Sequence, residues 1–466
     1  MKTKTIIAAL LAPLFLAPAA HAEIKLIAIG SISGNTADRS AATGAPLESG
    51  VAGNLFGGAG SGLAHLGGDV FIAVPDRGPN ANAYNPAVDN TTSFVPRFHT
   101  MRLALAPSAA GASLPFTLTP TLLDTTLLSS KKPLHYATGG APALNGKHHT
   151  FYFSGRSDNF DPSRPSTDAS NGRFDPEGVR VSNDGQHIYI TDEYGPFVYE
   201  FNRQTGKRMR VFTLPLEFAV SHVSAEGAVE ISSNLIGRVA NKGMEGLAIT
   251  PDGSKLMGMM QSPLAQDGGV DGRFTRIVVI DIETGAVTQH AYPLTNIGTA
   301  AKPKYPTVSE IVAINDHEFL VDERDGKGFG DDSKAVYKKV YRIDLTGAAV
   351  VNGVSGDANL ARYAIQKTQF IDVVQALVAQ GYAPKDIPAK LEGMAFGSDV
   401  VINGVRKHTL FISNDNDFIG TVTDAGHPAG ADNPNTFLVF AIDAADVPGY
   451  QAQGGGHCVG RRAADR

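Results

Sequence analysis

Four glutamates recur at the start of one repeated motif, and this recurrence is the clearest chemical signal in the sequence. Each glutamate precedes a short apolar run, and a second apolar run follows after an intervening turn or loop. Carboxylates gathered at one place repel one another unless a cation lies between them. The flexible oxygen coordination of Ca²⁺ suits such a group better than the strict octahedron of Mg²⁺. The four predicted calcium ligands are Glu177, Glu245, Glu310 and Glu392.

Further acids follow the second apolar run of several copies. Asp76 and Asp192 each lie 15 residues after the polar residue that opens their copy, and Asp322 has a corresponding place in another copy. We assign Asp76 and Asp322 to the same metal site as the glutamates. We assign Arg77 and Arg324 to catalysis, because a guanidinium can hold a phosphate or carboxylate through two parallel hydrogen bonds. We assign Asp192 to catalysis together with them.

A purely structural interpretation of these residues stays open. A Glu-Gly pair at a strand start can be a repeat fingerprint, in which the glutamate bonds the backbone of the neighbouring unit and the glycine permits a tight bend. Each arginine can equally serve as a salt-bridge partner for the acid beside it.

The repeat predicts an all-β fold of the β-propeller type. Its copies open at positions 61, 177, 245, 310 and 392, and units of this length with several strands are typical of propeller blades with long loops. The gap between the first two openers leaves room for one degenerate blade that includes residues 149–154. We therefore predict six blades, with seven as the alternative. Residues 24–29 are available as a closing strand beside the last blade.

One segment departs from the strand pattern. Apolar residues between 370 and 378 recur at helical spacing and stop at Gly381, which predicts a short helix inserted before the last blade. The high content of turn residues, 51 Gly and 27 Pro, favours one large β domain over several helical ones. We place this domain at 23–450 and a C-terminal tail at 451–466.

Residues 1–22 have the pattern of a secretory signal peptide, with two lysines, an apolar run and the ending Ala20-His21-Ala22. We expect cleavage near Ala22 and a periplasmic or secreted protein without a membrane span.

A net charge of -6 offers no basic face for nucleic acid. The single cysteine, Cys458, excludes an intramolecular disulfide and a cysteine-based zinc site. We expect a monomer that takes a small anionic ester.

Five segments of the chain carry a family resemblance: 74–80, 174–178, 191–196, 241–247 and 390–393. They resemble the phytase-like family of secreted bacterial proteins, which is described by an esterase-like activity of phytase. The resemblance implies a β-propeller, export, and hydrolysis of phosphate or carboxylate esters.

The leading hypothesis is a metal-dependent ester hydrolase. In it Ca²⁺ polarises a phosphoryl or carbonyl oxygen and activates water, while Arg77 or Arg324 steadies the anionic group. A calcium-dependent lactonase-like enzyme and a non-enzymatic, ligand-binding propeller are the alternatives. The sequence contains no G-x-S-x-G, P-loop or H-E-x-x-H motif, so a nucleophile elbow, a Walker-type nucleotide site and a zincin site are not supported.

Overall fold

The computed structural model describes residues 24–80, 82–146 and 149–453. The predicted signal peptide, most of the predicted tail and Cys458 lie outside these residues. The strands are β1 (Lys25–Ile32), β2 (Gly62–Gly67), β3 (Val70–Val74), β4 (Arg97–Pro107), β5 (Phe116–Leu127), β6 (Ser129–Ser130), β7 (Phe151–Tyr152), β8 (Pro176–Val181), β9 (His187–Asp192), β10 (Phe197–Asn202), β11 (Arg208–Thr213), β12 (Met244–Ile249), β13 (Lys255–Met260), β14 (Phe274–Asp281), β15 (Val287–Pro293), β16 (Thr307–Ala313), β17 (Glu318–Arg324), β18 (Lys338–Asp344), β19 (Lys367–Asp372), β20 (Lys390–Ile402), β21 (Val405–Asp415), β22 (Thr421–Val422), β23 (Ala431–Asp432) and β24 (Asn435–Ile442). The α-helices are α1 (Gly227–Ser233), α2 (Asp357–Leu360) and α3 (Val373–Ala379).

Five four-stranded antiparallel sheets form the blades of a propeller. Blades 1 to 4 contain β2–β5, β8–β11, β12–β15 and β16–β19, each running in chain order from the innermost strand outwards. Blade 5 contains β20, β21, β24 and β1. The innermost strands β2, β8, β12, β16 and β20 contact one another in that order, and β20 contacts β2 again. The blades therefore close into a ring around a central channel.

The N-terminal strand closes the ring, as the sequence predicts. β1 pairs antiparallel with β24 and is the outermost strand of blade 5, so the first and last described parts of the propeller share one sheet. Ile27 and Ala28 of β1 are buried against the cluster that joins blades 5 and 1. This arrangement joins the two ends of the ring through backbone hydrogen bonds, since a sheet edge pairs readily with a free strand.

The prediction of six blades is wrong, because blades 1 and 2 are direct neighbours. A β-carbon on Gly62 of β2 would lie only 2.3 Å from the carbonyl oxygen of Glu177 in β8, so no innermost strand fits between them. The segment expected to form a degenerate blade supplies only the two-residue pair of β6 with β7. Its Phe153 is fully buried and packs on Phe174 and Tyr199 at the blade 1–blade 2 interface.

The hydrophobic core is divided among the interfaces between blades. Five clusters of buried side chains each join two adjacent blades, as in the packing of Leu320 in blade 4 with Leu391 in blade 5. The predicted helix before the last blade is present as α3, but it begins at Val373, because Phe370 belongs to β19. The packing between blades therefore fixes how the innermost strands are positioned around the channel.

Candidate metal and substrate site at the acidic channel mouth

Three of the four predicted glutamates meet at one mouth of the channel. The pairing of the innermost strand with its neighbour shifts register at Glu177 in β8, at Glu245 in β12 and at Glu392 in β20. Such a bulge re-aims the side chain at the point where it occurs. One carboxylate oxygen from each glutamate lies within 4.8 Å of the others, and each residue is at most 5% exposed.

Glycines next to these glutamates allow the innermost strands to approach closely. A β-carbon on Gly178 would lie 2.5 Å from the backbone nitrogen of Leu247 in the next blade, and one on Gly246 would lie 2.8 Å from Cα of Glu310. Only a residue without a side chain fits such contacts. The glycine of the Glu-Gly pair is therefore a packing residue, and the contact it permits draws the glutamates of adjacent blades together.

The environment of Glu177 and Glu245 strongly disfavours their charged forms. Burial, followed by the charges of neighbouring acids, raises the pKa of both carboxyl groups well above the usual range. Oε1 of Glu245 accepts a 2.6 Å hydrogen bond from Gln261, whereas its buried Oε2 has no hydrogen-bond partner among the described residues. Glu392 is paired with the Arg324 guanidinium. This group of carboxylates thus has oxygen atoms free to bind a cation.

Glu310 does not join the other three glutamates. In β16 the register shift falls between Val308 and Glu310, so Ser309 takes the bulged position, whereas in β12 Glu245 itself takes that position. Oε1 of Glu310 accepts hydrogen bonds from the backbone N–H groups of Leu247 and Ile311, at 2.9 and 3.0 Å. This is the backbone-bonding role that the structural interpretation of the repeat describes.

Arg180 pairs with Glu310 and fills the channel below the acids. Its guanidinium lies 3.2 Å from Glu310 and donates to the carbonyl oxygens of Leu63 and Ile311, which belong to other blades. The burial of Glu310 raises its pKa to about 7, against the lowering effect of Arg180. Arg180 therefore separates the acidic mouth from the opposite end of the channel.

The three predicted aspartates lie near this mouth in different roles. Asp192 accepts hydrogen bonds from the backbone N–H groups of Asp175 and Tyr194 and from the Tyr199 hydroxyl, so it holds the turn after β9. Burial raises its pKa to about 7. Oδ2 of Asp322 is buried without a partner among the described residues, and burial raises its pKa well above the usual range.

Asp76 belongs to a second acidic group beside the first. Its Oδ1 accepts from the Gly78 N–H, and it lies with Asp415 and Asp417 in a set of oxygens within 4.8 Å of one another. Lys390 already pairs with Asp415 at 3.1 Å and also with Asp417. This group therefore has its own cation within the chain.

Two acids of the mouth, Asp175 and Glu193, were not among the predicted site residues. Together with Glu177 they form another set of oxygens within 4.8 Å, and both are buried. Burial, followed by the charge of Asp175, raises the pKa of Glu193 to about 7. Each stands within two residues of a predicted acid in the sequence, at Asp175-Pro176-Glu177 and Asp192-Glu193, and that proximity is the signal that identifies them.

The two predicted arginines differ in what they face. Nε of Arg324 donates to the Ser309 hydroxyl at 2.9 Å, and its NH2 contacts Glu392, so it is held beneath the acids. NH1 of Arg77 donates to Asp175 at 2.8 Å and to Asn241 at 2.7 Å. Arg77 also lines a cavity of about 270 Å³, together with Arg173, Arg238, Tyr194 and other residues.

A larger cavity, of about 320 Å³, lies at the opposite mouth. It is lined by the far ends of the innermost strands, by Arg180, and by Tyr450 to Gln453, which follow blade 5. None of the three acidic groups described above borders it. We therefore place the candidate site at the acidic mouth, where the clustered carboxylates and the arginine-lined cavity adjoin.

Residues 54–418 match the model of a family named phytase-like and described as having esterase-like activity of phytase. A protein of Arthroderma benhamiae named as an uncharacterized secreted protein is 32% identical over 139 residues, which are 26% of this chain and 27% of the relative. The chain thus spans about a quarter of the length of that relative.

Two solved structures align with most of the chain at low sequence identity. The periplasmic gluconolactonase of Pseudomonas aeruginosa aligns over 90% of this chain and 96% of its own, with 10% identity and a TM-score of 0.33. The hydrazine synthase of Kuenenia stuttgartiensis aligns over 78% of each chain, with 9% identity and a TM-score of 0.28. Within the described parts of the chain, no helix has the length and apolar character needed to cross a membrane.

Proposed function

This chain belongs to the phytase-like family, and from that premise we propose that it is a secreted, Ca²⁺-dependent hydrolase of phosphate or carboxylate esters. The observation that carries the proposal is the convergence of Glu177, Glu245 and Glu392 from three blades on one point. Their ligand atoms are all oxygens, as Ca²⁺ requires, and two oxygens bound to one Ca²⁺ are at most about 5 Å apart.

A bound cation would polarise the ester oxygen and make water a stronger nucleophile. The residues of the chain supply the rest of the site. Arg324 fixes the orientation of Glu392, and Asp192 fixes the backbone at Asp175. Asp322, with its unpartnered oxygen, is a candidate for an additional ligand or for holding a water molecule. Arg77 stands between the acids and the cavity, so it is the residue suited to hold the anionic part of a substrate.

The cavity beside Arg77 favours an anionic substrate of modest size. Arg173 and Arg238 also line it, so three arginines face two acids: Asp89, and Glu230, which lies 3.9 Å from Arg173 and 2.7 Å from Arg238. Its volume of about 270 Å³ is slightly below the range of common ligand pockets, which is about 300–1,000 Å³. A single phosphate or carboxylate group with its immediate substituent therefore fits the site better than a large polyanion.

The reaction is tested with purified protein on p-nitrophenyl phosphate, short acyl esters, lactones and phytate, each with CaCl₂ or with EDTA. We expect hydrolysis of an anionic ester that EDTA abolishes and Ca²⁺ restores. Calcium-dependent turnover of lactones alone would support the lactonase-like alternative. Inactivity on the whole panel would favour the ligand-binding propeller.

Arg77→Lys tests the anchoring of the anion. Lysine keeps the positive charge beside Asp175 but loses the planar fork that holds an oxyanion through two bonds. A hydrogen bond to a charged group contributes about 1.5–3 kcal/mol, so kcat/KM for an anionic ester should fall about 10- to 150-fold, mainly through KM. Arg102→Lys is the matched control, because Arg102 is about half exposed on β4 and pairs there with Asp69. Equal kinetics in both variants would show that Arg77 does not bind the anionic part of the substrate.

Export is the remaining part of the proposal. The signal-like residues 1–22 support it, as does the likeness to a relative named as secreted. Protein recovered from the native host should begin near Glu23 and lie outside the cytoplasm. N-terminal sequencing of that protein checks this, and an intact Met1 in the cytoplasmic fraction would contradict it.

A further inference from the structure

We propose that the connection between blades 2 and 3 binds the hydrocarbon chain of an amphiphilic ester, whose anionic group lies in the cavity beside Arg77. This connection, residues 214–243, contains α1 and is called the blade 2–3 loop below. The inference rests on the proposed function and narrows its substrate class to esters that carry both an anionic group and an alkyl or acyl chain.

The blade 2–3 loop turns its polar side chains inward and its apolar ones outward. Glu230 and Asn234, which lie one helical turn apart, are 2% and 6% exposed. Glu230 pairs with Arg238 at 2.7 Å, and Asn234 accepts hydrogen bonds from the backbone N–H groups of Ser221 and His222. Five large apolar side chains are instead 39–87% exposed and are called the apolar patch: Leu216, Val229, Ile231, Leu235 and Ile236. A helix that packs only on its own domain turns its apolar side inward, so this reversed pattern indicates an apolar ligand on the outer side.

Hydrogen bonds and close packing hold this loop in place. The backbone N–H of Gly227 donates to Asp89 at 2.6 Å, and that of Gly237 donates to Gln266 at 3.0 Å. A β-carbon on Gly237 would lie 2.4 Å from the carbonyl oxygen of Ala219. The segments that carry the first and the last residues of the apolar patch therefore lie side by side.

The apolar patch begins at the wall of the arginine-lined cavity. Glu230 and Arg238 line that cavity, and Val229 and Ile231 are the direct sequence neighbours of Glu230. The side chains that other segments contribute to the lining all carry polar groups. With a volume of about 270 Å³ the cavity holds an anionic group and its first substituent, so a longer chain has to leave it. The blade 2–3 loop is the wall that offers apolar side chains outside the cavity.

Two other occupants fit the apolar patch less well. A stable protein–protein interface needs about 800 Å² and about 20–30 residues a side, and five side chains on one loop are far fewer. Residues 214–237 include three glutamates but no lysine or arginine, whereas amphipathic helices that lie on a bilayer use Lys and Arg to reach anionic lipids. A hydrocarbon chain needs neither a large area nor a cationic rim.

The dependence of affinity on chain length is the direct test, and it is measured as binding rather than turnover. Isothermal titration calorimetry in millimolar CaCl₂ gives the Kd of ethanesulfonate and of octanesulfonate. These two ligands share one anionic group that the protein cannot hydrolyse, and they differ only by six methylene groups. Removing one methylene group from water strengthens binding about fourfold. If two or three of the six are covered, octanesulfonate should bind about 15- to 60-fold more tightly than ethanesulfonate.

Paired serine variants assign this gain to the apolar patch. Leu235→Ser combined with Ile236→Ser should remove most of the difference between the two ligands and leave the Kd of ethanesulfonate unchanged. Val401→Ser combined with Val405→Ser is the control, because these valines are 64% and 52% exposed on β20 and β21 of blade 5. The control should bind both ligands as the wild type does, and thermal unfolding curves verify that each variant is folded.

The outcomes separate this inference from the proposed function. Equal affinity for the two sulfonates, or a preference for octanesulfonate that the Leu235 and Ile236 variant retains, would overturn the hydrocarbon site and leave the anion site standing. Binding of neither ligand would overturn both, because no anion would then occupy the cavity.

Sedimentation velocity and flotation with phosphatidylcholine vesicles test the other two occupants on ligand-free protein. We expect a monomer that does not float with vesicles. A dimer that the Leu235 and Ile236 variant loses would assign the apolar patch to a second copy of the chain. Vesicle binding that the same variant loses would assign it to a lipid surface, and either result would overturn its role in holding the substrate.

Discussion

At the scale of single residues, the buried carboxylates of the channel mouth oppose folding unless something neutralises them. Glu177 and Glu245 have pKa values raised well above the usual range, and burial is the largest cause. The pKa values of Glu193 and Asp415 are raised to about 7. Raised values of this kind are common at functional sites, and here they predict that the stability of the protein depends on pH and on a neutralising cation.

The first prediction is that metal-free protein loses stability as pH rises from 5 to 8. In the unfolded chain these groups lose their protons near pH 4.5 or below, whereas the folded protein retains them to higher pH. The stabilisation from the raised pKa is therefore complete below the unfolded value and disappears as pH passes the folded value. For one group shifted to about 7 the loss is on the order of 3 kcal/mol.

Urea unfolding at several pH values, in EDTA and in millimolar CaCl₂, measures this effect. Calcium should flatten the pH dependence, because a bound cation favours the ionised carboxylates. Glu245→Gln should flatten it in EDTA as well, since the variant has one fewer acid. Identical pH profiles for all of these samples would show that the mouth acids do not couple folding to ionisation.

At the scale of secondary-structure elements, the close approach of innermost strands is what brings the acids together. The glycines after Glu177 and Glu245 face the backbone of the next blade, and backbone atoms cannot move aside as a flexible side chain can. A bulge and a glycine therefore act together at the start of these strands: the bulge aims the carboxylate, and the glycine sets the distance to the next blade.

Gly178→Ala should destabilise the fold and disturb metal binding together. Its new methyl group would lie 2.5 Å from the backbone nitrogen of Leu247 and 2.8 Å from the carbonyl oxygen of Glu245. Overpacking of this kind costs about 1–3 kcal/mol, and more where backbone must shift. Gly326→Ala is the control, because a β-carbon there meets no atom within 4 Å. Equal urea midpoints for the two variants would contradict the close-packing interpretation.

At the scale of the whole molecule, the ring of blades is closed by β1 in the sheet of blade 5. Every inter-blade cluster depends on two neighbours, so an opened ring would expose apolar surface on both sides of the gap. The mouth acids of blades 2, 3 and 5 stay together only while that ring is closed. The candidate site therefore depends on the pairing of β1 with β24, although β1 lies far from it.

Ala28→Glu should therefore weaken the entire propeller. Ala28 of β1 is fully buried in the cluster that joins blades 5 and 1. An unpaired charge there should lower the free energy of unfolding by several kcal/mol, roughly 3 or more. Ser31→Glu places the same charge on an exposed position of the same strand and should change the unfolding free energy by less than about 0.5 kcal/mol. Thermal unfolding of both proteins decides the matter, and similar melting temperatures would argue that β1 does not hold the ring.

Features that depend on local chemistry could be read directly from the chain. Glu-Gly openers, turns such as Asn183-Asp184-Gly185 and alternating apolar runs predicted a propeller, and the structure has left-handed backbone at Gly185 as that turn requires. The closing role of the first strand and a short helix before the last blade were also predicted. These features follow from neighbouring residues, whose spacing the sequence displays.

Features that depend on contacts between blades could not be read in this way. The number of blades follows from the direct packing of Gly62 on Glu177, which leaves no room for a sixth innermost strand. The separation of Glu310 from the other glutamates follows from a bulge that falls on Ser309 in β16. A one-residue change in register sends a side chain to the other face of a strand, and that register is set by the pairing of strands. The three-dimensional packing therefore placed Glu310 against Arg180 and brought Asp175 and Glu193 to the mouth.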